Sequence, residues 1–409
     1  MTENSPCASG EEAVRGSGPA VEASAPVILS NEPGSFAWGV LAKRHPALIQ
    51  QVRDAFPYGR QQHEALDALL DEITHGVIEP LAPREHDREC WVDWGQEHFG
   101  CSWYDAPFLW AESYFYRRLL GAVGYFGSGP WQGVDPFAPF KRAELRGEAV
   151  EEELRALDAL AGVPADERAA ALLHASLWGN RADLGFRVSA GEPAAGDAAA
   201  SALVADDSAL LWHLLPVGGS STVAVVADNA GRELIPDLIL IDHLLEQRHA
   251  EQVVLHLKPY PYYVSDAMTA DVVDCLRRLT EAPGEASAIG GRLWKAMAAG
   301  SLEVRTHPFF CAPLPYEDMP EDLRSELESA TLTILKGDLN YRRLVGDRLW
   351  DAKASFADLT AYFPGAVAAL RTLKSDVIVG LEQEALNALE RSGAAWRTSG
   401  THALIQVRR

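Results

Sequence analysis

Apolar and polar positions divide the chain into two textures. Between Ser35 and about Val123, apolar residues recur at helical spacing: Ile49, Val52 and Phe56, then Leu66, Leu69, Leu70 and Ile73. The aromatic run Phe108-Leu-Trp-Ala-Glu-Ser-Tyr-Phe-Tyr-Arg117 continues that character, and Trp103, Trp110, Tyr114 and Tyr116 are its expected core. Residues 124–150 hold several Gly and Pro and read as a connector. Helices are expected over Ala149–Ala161 and Asp166–Leu177. Residues 188–207 are mostly small, without a clear period, and are expected to form a surface loop.

Beyond that segment, short β-branched apolar runs alternate with helical patterns. Thr222–Ala227 and Gln252–Leu257 read as buried parallel strands, each followed by a helix, over Glu233–Leu245 and Thr269–Leu279. Leu302–Arg305, Thr331–Leu335 and Val377–Gly380 are further strand candidates. This alternation predicts an α/β fold, a three-layer α/β/α arrangement with a mostly parallel sheet, joined to an N-terminal α-helical domain. The expected division is a disordered tail over 1–33, rich in small and polar residues, an α-helical domain over 34–150 and an α/β/α domain over 151–409.

Composition narrows the function classes. With 409 residues, 47% of them hydrophobic and 23% charged, the chain is globular and longer than one typical domain. Lys plus Arg number 36 against 58 Asp plus Glu, a net charge of −22, which disfavours nucleic-acid backbones and anionic lipid as partners. No uncharged apolar stretch reaches the ~18–20 residues of a membrane span. The N-terminal residues lack the basic and apolar regions of a signal peptide, so a cytoplasmic location is expected. Five cysteines with no CxxC pair argue against a disulfide framework and against a structural zinc site.

In open α/β sheets ligands collect beyond the carboxyl ends of the strands. The run at 222–227 leads into Asp228-Asn229-Ala230-Gly231, and that at 252–257 through Lys258 into a Tyr/Pro-rich loop ending at Asp266. The run at 331–335 leads into Lys336-Gly-Asp338-Leu-Asn340-Tyr-Arg342, and Arg371-Thr-Leu-Lys374 precedes 377–380. Carboxylate and amide oxygens suit a hard divalent cation, while Lys and Arg suit a phosphate. Together they describe metal-assisted phosphoryl chemistry. Asp-Asn-Ala-Gly after a strand is equally a turn and helix cap, Asp338 and Asn340 equally cap a helix, and only the convergence of four such places favours chemistry.

These segments resemble the metal-dependent damage-control phosphatases, subfamily III, also described as acidic-residue or protein-glutamate carboxyl methyltransferases. The resemblance runs from about Ser35 to the C-terminus, through Ser176-Leu-Trp-Gly-Asn180-Arg-Ala-Asp183, Asp228-Asn229-Ala-Gly-Arg-Glu233, Val264-Ser-Asp266, Lys336–Asp347 and Arg-Thr-x-Lys at 371–374. It implies a phosphatase acting on a sugar phosphate or a related small phosphorylated metabolite. A divalent metal would sit on Asp228, Asn229 and Asp266, with Mn²⁺ expected ahead of Co²⁺, Ni²⁺ or Mg²⁺. Lys374 would be catalytic alongside them and bind the phosphate. Glu233, Asp338, Leu339, Asn340, Tyr341, Arg342, Asn180 and Asp183 would contact substrate. Ala230, where a small hydroxyl residue is expected, and Gly185, where Ser is common, depart from the pattern.

Other readings carry less. A dehalogenase-type phosphatase needs DxD where Asp228-Asn-Ala230 stands, and Gly127-Ser-Gly-Pro-Trp-Gln-Gly133 is not a dinucleotide fingerprint. S-adenosylmethionine-dependent carboxyl O-methyl transfer is the alternative chemistry, and a non-enzymatic binding protein with an acidic surface the alternative class. The oligomeric state is left open.

Overall fold

The computed structural model describes residues 25–179, 203–393 and 395–409. The chain forms two compact units: residues up to Pro136 together with 312–314 and 347–350, and the remainder from Phe137 onward.

The first unit is helical. It contains His45–Ala55, Arg60–His75, Arg88–Gly95 and Phe108–Val123. Phe108–Val123 is apolar nearly all round and therefore central; it stops at Gly124, which takes the left-handed conformation (φ 86°). Trp103, Trp110, Tyr114 and Tyr116 are all buried, as the pattern predicts. The helix also buries Arg117, whose guanidinium donates to Asp87 and Glu85. Within the stretch expected as a tail, Val27 bridges Arg348, Leu29 bridges Pro107, and Ser30 is buried. Cys101, Cys275 and Cys311 are free thiols, whereas Cys90 is disulfide-bonded, a departure from the expectation for the cysteines.

The second unit is α/β. Its seven strands are β1 (Leu203–Asp206), β2 (Thr222–Val226), β3 (Gln252–Leu257), β4 (Leu302–Thr306), β5 (Leu332–Lys336), β6 (Val367–Thr372) and β7 (Ala403–Arg408). They are ordered β1-β7-β6-β5-β2-β3-β4. All neighbours are parallel except β6 and β7. β2, β3 and β5 are near-continuous apolar runs because both faces of a parallel sheet are covered. The helices Leu234–Glu246 and Thr269–Glu281 follow β2 and β3 as expected. The loop expected over 188–207 ends in β1, and its residues up to 202 lie outside the described ones.

Val377–Gly380 is not a strand. Its side chains are buried, but side chains also take its backbone groups: Arg371 donates to the Val377 carbonyl, Gln406 to that of Val379, and the Tyr341 hydroxyl accepts from Val379 N–H. The strand in that region is β6, ten residues earlier in the chain, whose Val-Ala-Ala-Leu-Arg-Thr carries less β-branched signal.

Strand order fixes where the site lies. From β2 the chain proceeds to β3 and β4 on one side, then returns to β5 on the other side of β2. Connections diverge at the carboxyl ends of β2 and β5, which opens the crevice where α/β ligands bind.

Candidate active site

Asp228 follows β2 and Gly337 follows β5, and the two meet in that crevice. A Cβ on Gly337 would lie 1.9 Å from Asp228 Oδ2, and Gly337 has φ +85°, so a glycine is required on both counts. The loop after β3 joins them: Asn229 and Asp266 form an isolated antiparallel bridge, and Ala267 N–H donates to the Asp228 carbonyl at 2.9 Å. The backbone thus holds 228, 229 and 266 side by side although 38 residues of sequence separate Asp228 from Asp266.

Side chains then converge. The Asn229 amide Nδ2 donates to Asp228 Oδ2 at 3.1 Å and to Glu233 Oε2 at 2.9 Å, while its Oδ1 accepts from the Ser265 hydroxyl at 2.7 Å. Asp266 Oδ2 accepts from Tyr263 N–H at 2.8 Å. Lys374 Nζ stands 3.5 Å from Glu233 Oε1 and its side chain is 45% exposed, so it faces solvent at the mouth. A small pocket here is lined by Asp228, Asn229, Glu233, Lys336, Gly337 and Thr372, among others.

The electrostatics are strained towards a cation. Burial and the Glu233 carboxylate push the Asp228 carboxyl well above its usual range, and Lys374 offsets only part of this. Burial likewise raises Asp266, opposed by Lys258. Burial disfavours the charged Lys374, but the carboxylates of Glu233, Asp228 and Asp338 outweigh it and raise its pKa. Carboxylates packed this closely are ionised together only when a positive charge joins them. The donors are hard oxygens, so the residues present fit a divalent cation.

The segment 338–342 is part of the helix Gly337–Val345. Asp338 Oδ1 accepts from Arg371 Nε (2.7 Å), Ser375 Oγ (3.1 Å) and Lys374 N–H (3.2 Å), which fixes the backbone carrying Lys374. Arg371 holds Asp338 below the usual carboxylate range despite its burial. Asn340 is buried; its Nδ2 donates to the Ala227 and Lys336 carbonyls and its Oδ1 accepts from Tyr316. It pins together the ends of β2 and β5. The Tyr341 hydroxyl is taken by Gln406, and Leu339 and Arg342 are buried. Asn180 and Asp183 lie outside the described residues. The segment leading to them reaches the site, because a Cβ on Gly179 would touch Glu233 Cγ at 2.8 Å.

Three further residues belong to the site's frame. Lys336, the last residue of β5, is buried and lies 2.9 Å from Asp237 Oδ1, and Ser176 donates to that same oxygen at 2.6 Å. Lys336 also donates to Ser176. The signal in the sequence is a lysine closing an otherwise apolar strand run. Elsewhere, Glu85, His86 and Asp87 are close enough to share an ion. Both carboxylates, however, are paired with Arg117 at 2.5 and 2.7 Å, which explains their proximity without one.

Residues 40–389 match the family described as the damage-control phosphatase ARMT1-like domain. The damage-control phosphatase ARMT1 of Mus musculus is 30% identical over 94% of this chain and 99% of its own length. That of Danio rerio is 29% identical over 91% and 94%, and that of Homo sapiens 29% over 93% and 98%. A DUF89 family protein of Pyrococcus horikoshii aligns with a TM-score of 0.49 at 14% identity, covering 91% of this chain and 98% of that one.

Proposed function

Because the chain belongs to the ARMT1-like damage-control phosphatase family, we propose that it is a metal-dependent phosphatase reacting at Asp228, Asn229 and Asp266. One observation carries this reading. The Asn229 amide donates to the carboxylates of Asp228 and Glu233 at the sheet's switch point, a backbone bridge sets Asp266 alongside Asn229, and a solvent-facing lysine stands beside Glu233. Asp228, Asn229 and Asp266 would hold the ion, Mn²⁺ in the first instance and Co²⁺, Ni²⁺ or Mg²⁺ as substitutes. When bound, a divalent cation polarises a phosphoryl oxygen and neutralises the carboxylates around it.

The chain's own residues do the rest. Lys374 stays protonated at neutral pH and grips a phosphoryl oxygen, a charge-assisted contact that strengthens as negative charge develops. Asp338 sets its direction through the 371–375 backbone. The helix Leu234–Glu246 begins at Glu233 and turns its positive end to the same place. Asn340 joins the ends of β2 and β5 through the Ala227 and Lys336 carbonyls, Tyr341 ties the same helix to β7 through Gln406, and Leu339 and Arg342 stand with them on the substrate side of this reading. The substrate is a small phosphorylated metabolite, a sugar phosphate in this reading, consistent with a narrow polar pocket, and the setting is cytoplasmic. Asn180 and Asp183 complete the substrate side.

The test is phosphate release from p-nitrophenyl phosphate and from hexose phosphates, with and without Mn²⁺. Wild type is expected to need the metal, and Asp228→Ala to lose at least a hundredfold in kcat/KM. Full activity in Asp228→Ala, or in chelated wild type, overturns the assignment.

A further inference from the structure

The stretch expected as a connector holds a helix, Ala138–Leu145, that lies against the Asp228-Asn-Ala-Gly turn. A Cβ on Gly231 would come within 2.9 Å of Glu144 Oε2 and 3.5 Å of the Lys141 carbonyl. From there Lys141 reaches the second ligand-bearing segment. Its side chain is 4% exposed, and its Nζ donates to the Asp266 carbonyl at 2.8 Å and to Asp271 Oδ2 at 3.1 Å. Packing alone does not select a lysine for a buried place, because its charge is costly there unless partners take it.

The partners it has are informative. The peptide group joining Asp266 to Ala267 is held at both ends: its carbonyl accepts from Lys141, and its N–H donates to the Asp228 carbonyl at 2.9 Å. Asp266 is 2% exposed and Ala267 fully buried, so solvent offers that carbonyl little in exchange. Rotation of this peptide would break the bond to Asp228 and turn the Asp266 side chain with it. Asp271 Oδ2 also accepts from Met268 N–H at 2.9 Å, which ties Lys141 to the residue that opens the helix Thr269–Glu281. Lys258, the other buried lysine beside this loop, directs its Nζ to the Phe310 carbonyl instead, at 2.9 Å.

We propose that Lys141 is a positioning residue for the metal centre. By fixing the Asp266–Ala267 peptide it keeps the Asp266 carboxylate beside Asp228 and Asn229. The inference rests on the phosphatase reading above, and its test separates the two.

Charge must be kept constant in that test. Removing a cation near the centre by itself favours Mn²⁺, so Lys141→Met alone mixes two opposed effects. Lys141→Met with Asp271→Asn removes the pair without a net change, and the new amide can still accept from Met268. The control is Arg292→Met with Asp242→Asn, which deletes an ion pair of 2.7 Å about 13 Å along the helix from Glu233.

Two measurements on the demetallated full chain decide the matter: Mn²⁺ affinity, and amide hydrogen exchange at Ala230 and Ala267. The Lys141/Asp271 double variant should bind Mn²⁺ about tenfold more weakly, the lower end for a group that supports a ligand, since Lys141 bonds the main chain of Asp266 and not its carboxylate. Exchange at the two amides should quicken about tenfold or more in that variant, and the control should change neither quantity. Lys141→Gln, read by exchange, carries the test if the double variant does not fold by circular dichroism. Unchanged Mn²⁺ affinity in the double variant while Asp266→Asn abolishes uptake, unchanged exchange at Ala267, or equal weakening in the control overturns the role of Lys141 alone. Full uptake in Asp266→Asn overturns the metal centre and this role with it.

Discussion

Gly337→Ala probes the crevice most sharply. The added methyl group would sit 1.9 Å from Asp228 Oδ2, 2.1 Å from Cγ and 2.6 Å from Oδ1, all far inside van der Waals contact. Asp228 is a short side chain and must swing away from Asn229, to which it is bonded at 3.1 Å. The alanine must also hold φ near +85°, which costs about 1–2 kcal/mol. A shift of about 1 Å in a reacting group costs on the order of a hundredfold in rate. Gly300→Ala is the control, because φ is +80° there and nothing lies within 4 Å of its Cβ. Chemical denaturation should show a similar loss of stability from the backbone in both variants, plus whatever the displaced carboxylate adds in Gly337→Ala. Phosphate release should fall about a hundredfold in Gly337→Ala and stay near wild type in Gly300→Ala. Near-normal activity in Gly337→Ala, or an equal loss in Gly300→Ala, refutes the placement of Asp228 against Gly337.

Further outcomes follow from the same contacts. Lys374→Ala should lower kcat/KM by about 10–100-fold, the value of a charge-assisted hydrogen bond of ~1.5–3 kcal/mol, and Lys374→Arg should recover part of it; steady-state kinetics check both. Lys336→Met leaves Asp237 buried without its cation 2.9 Å away, at a cost of about 3–5 kcal/mol by denaturant titration, whereas Lys336→Met with Asp237→Leu should cost less. His256 is buried on β3 and its pKa is lowered to about 4, burial being the main cause. The unfolded chain then binds the proton first, so stability is full above about pH 6.5 and falls as pH drops towards 4, by on the order of 3 kcal/mol. Denaturant melts from pH 7 to 4 should show that slope in wild type and a shallower one in His256→Phe.

Much of the site was legible because parallel strands announce themselves. β2 and β3 are apolar runs ending at Asp228 and Lys258, and the rule that ligands gather at strand ends leads to the segments that hold Asp228, Asn229 and Asp266, while the family resemblance is what singles those three out as metal ligands. β6 and β7 were missed: Val-Ala-Ala-Leu-Arg-Thr and Ala-Leu-Ile-Gln-Val-Arg mix strand and helix formers, and their pairing is decided by partners distant in sequence. Val377–Gly380 shows the converse, since apolar composition reports burial and not hydrogen bonding to a neighbouring strand. Polar residues were harder still. Asn340 is expected to contact substrate and Lys374 to bind phosphate, and in the fold the Asn340 amide donates to the Ala227 and Lys336 carbonyls while Lys374 reaches solvent. The Ser176–Asp237–Lys336 contact joins segments up to 160 residues apart, and no local pattern predicts it.

Titration of the demetallated chain with Mn²⁺, followed by the loss of the free-ion electron paramagnetic resonance signal, tests the metal centre itself. Wild type should take up one ion per chain tightly; Asp228→Asn and Asp266→Asn should lose it, and Glu85→Gln should retain it. Unchanged uptake in the two aspartate variants, or loss of uptake in Glu85→Gln, would contradict a metal centre at Asp228, Asn229 and Asp266.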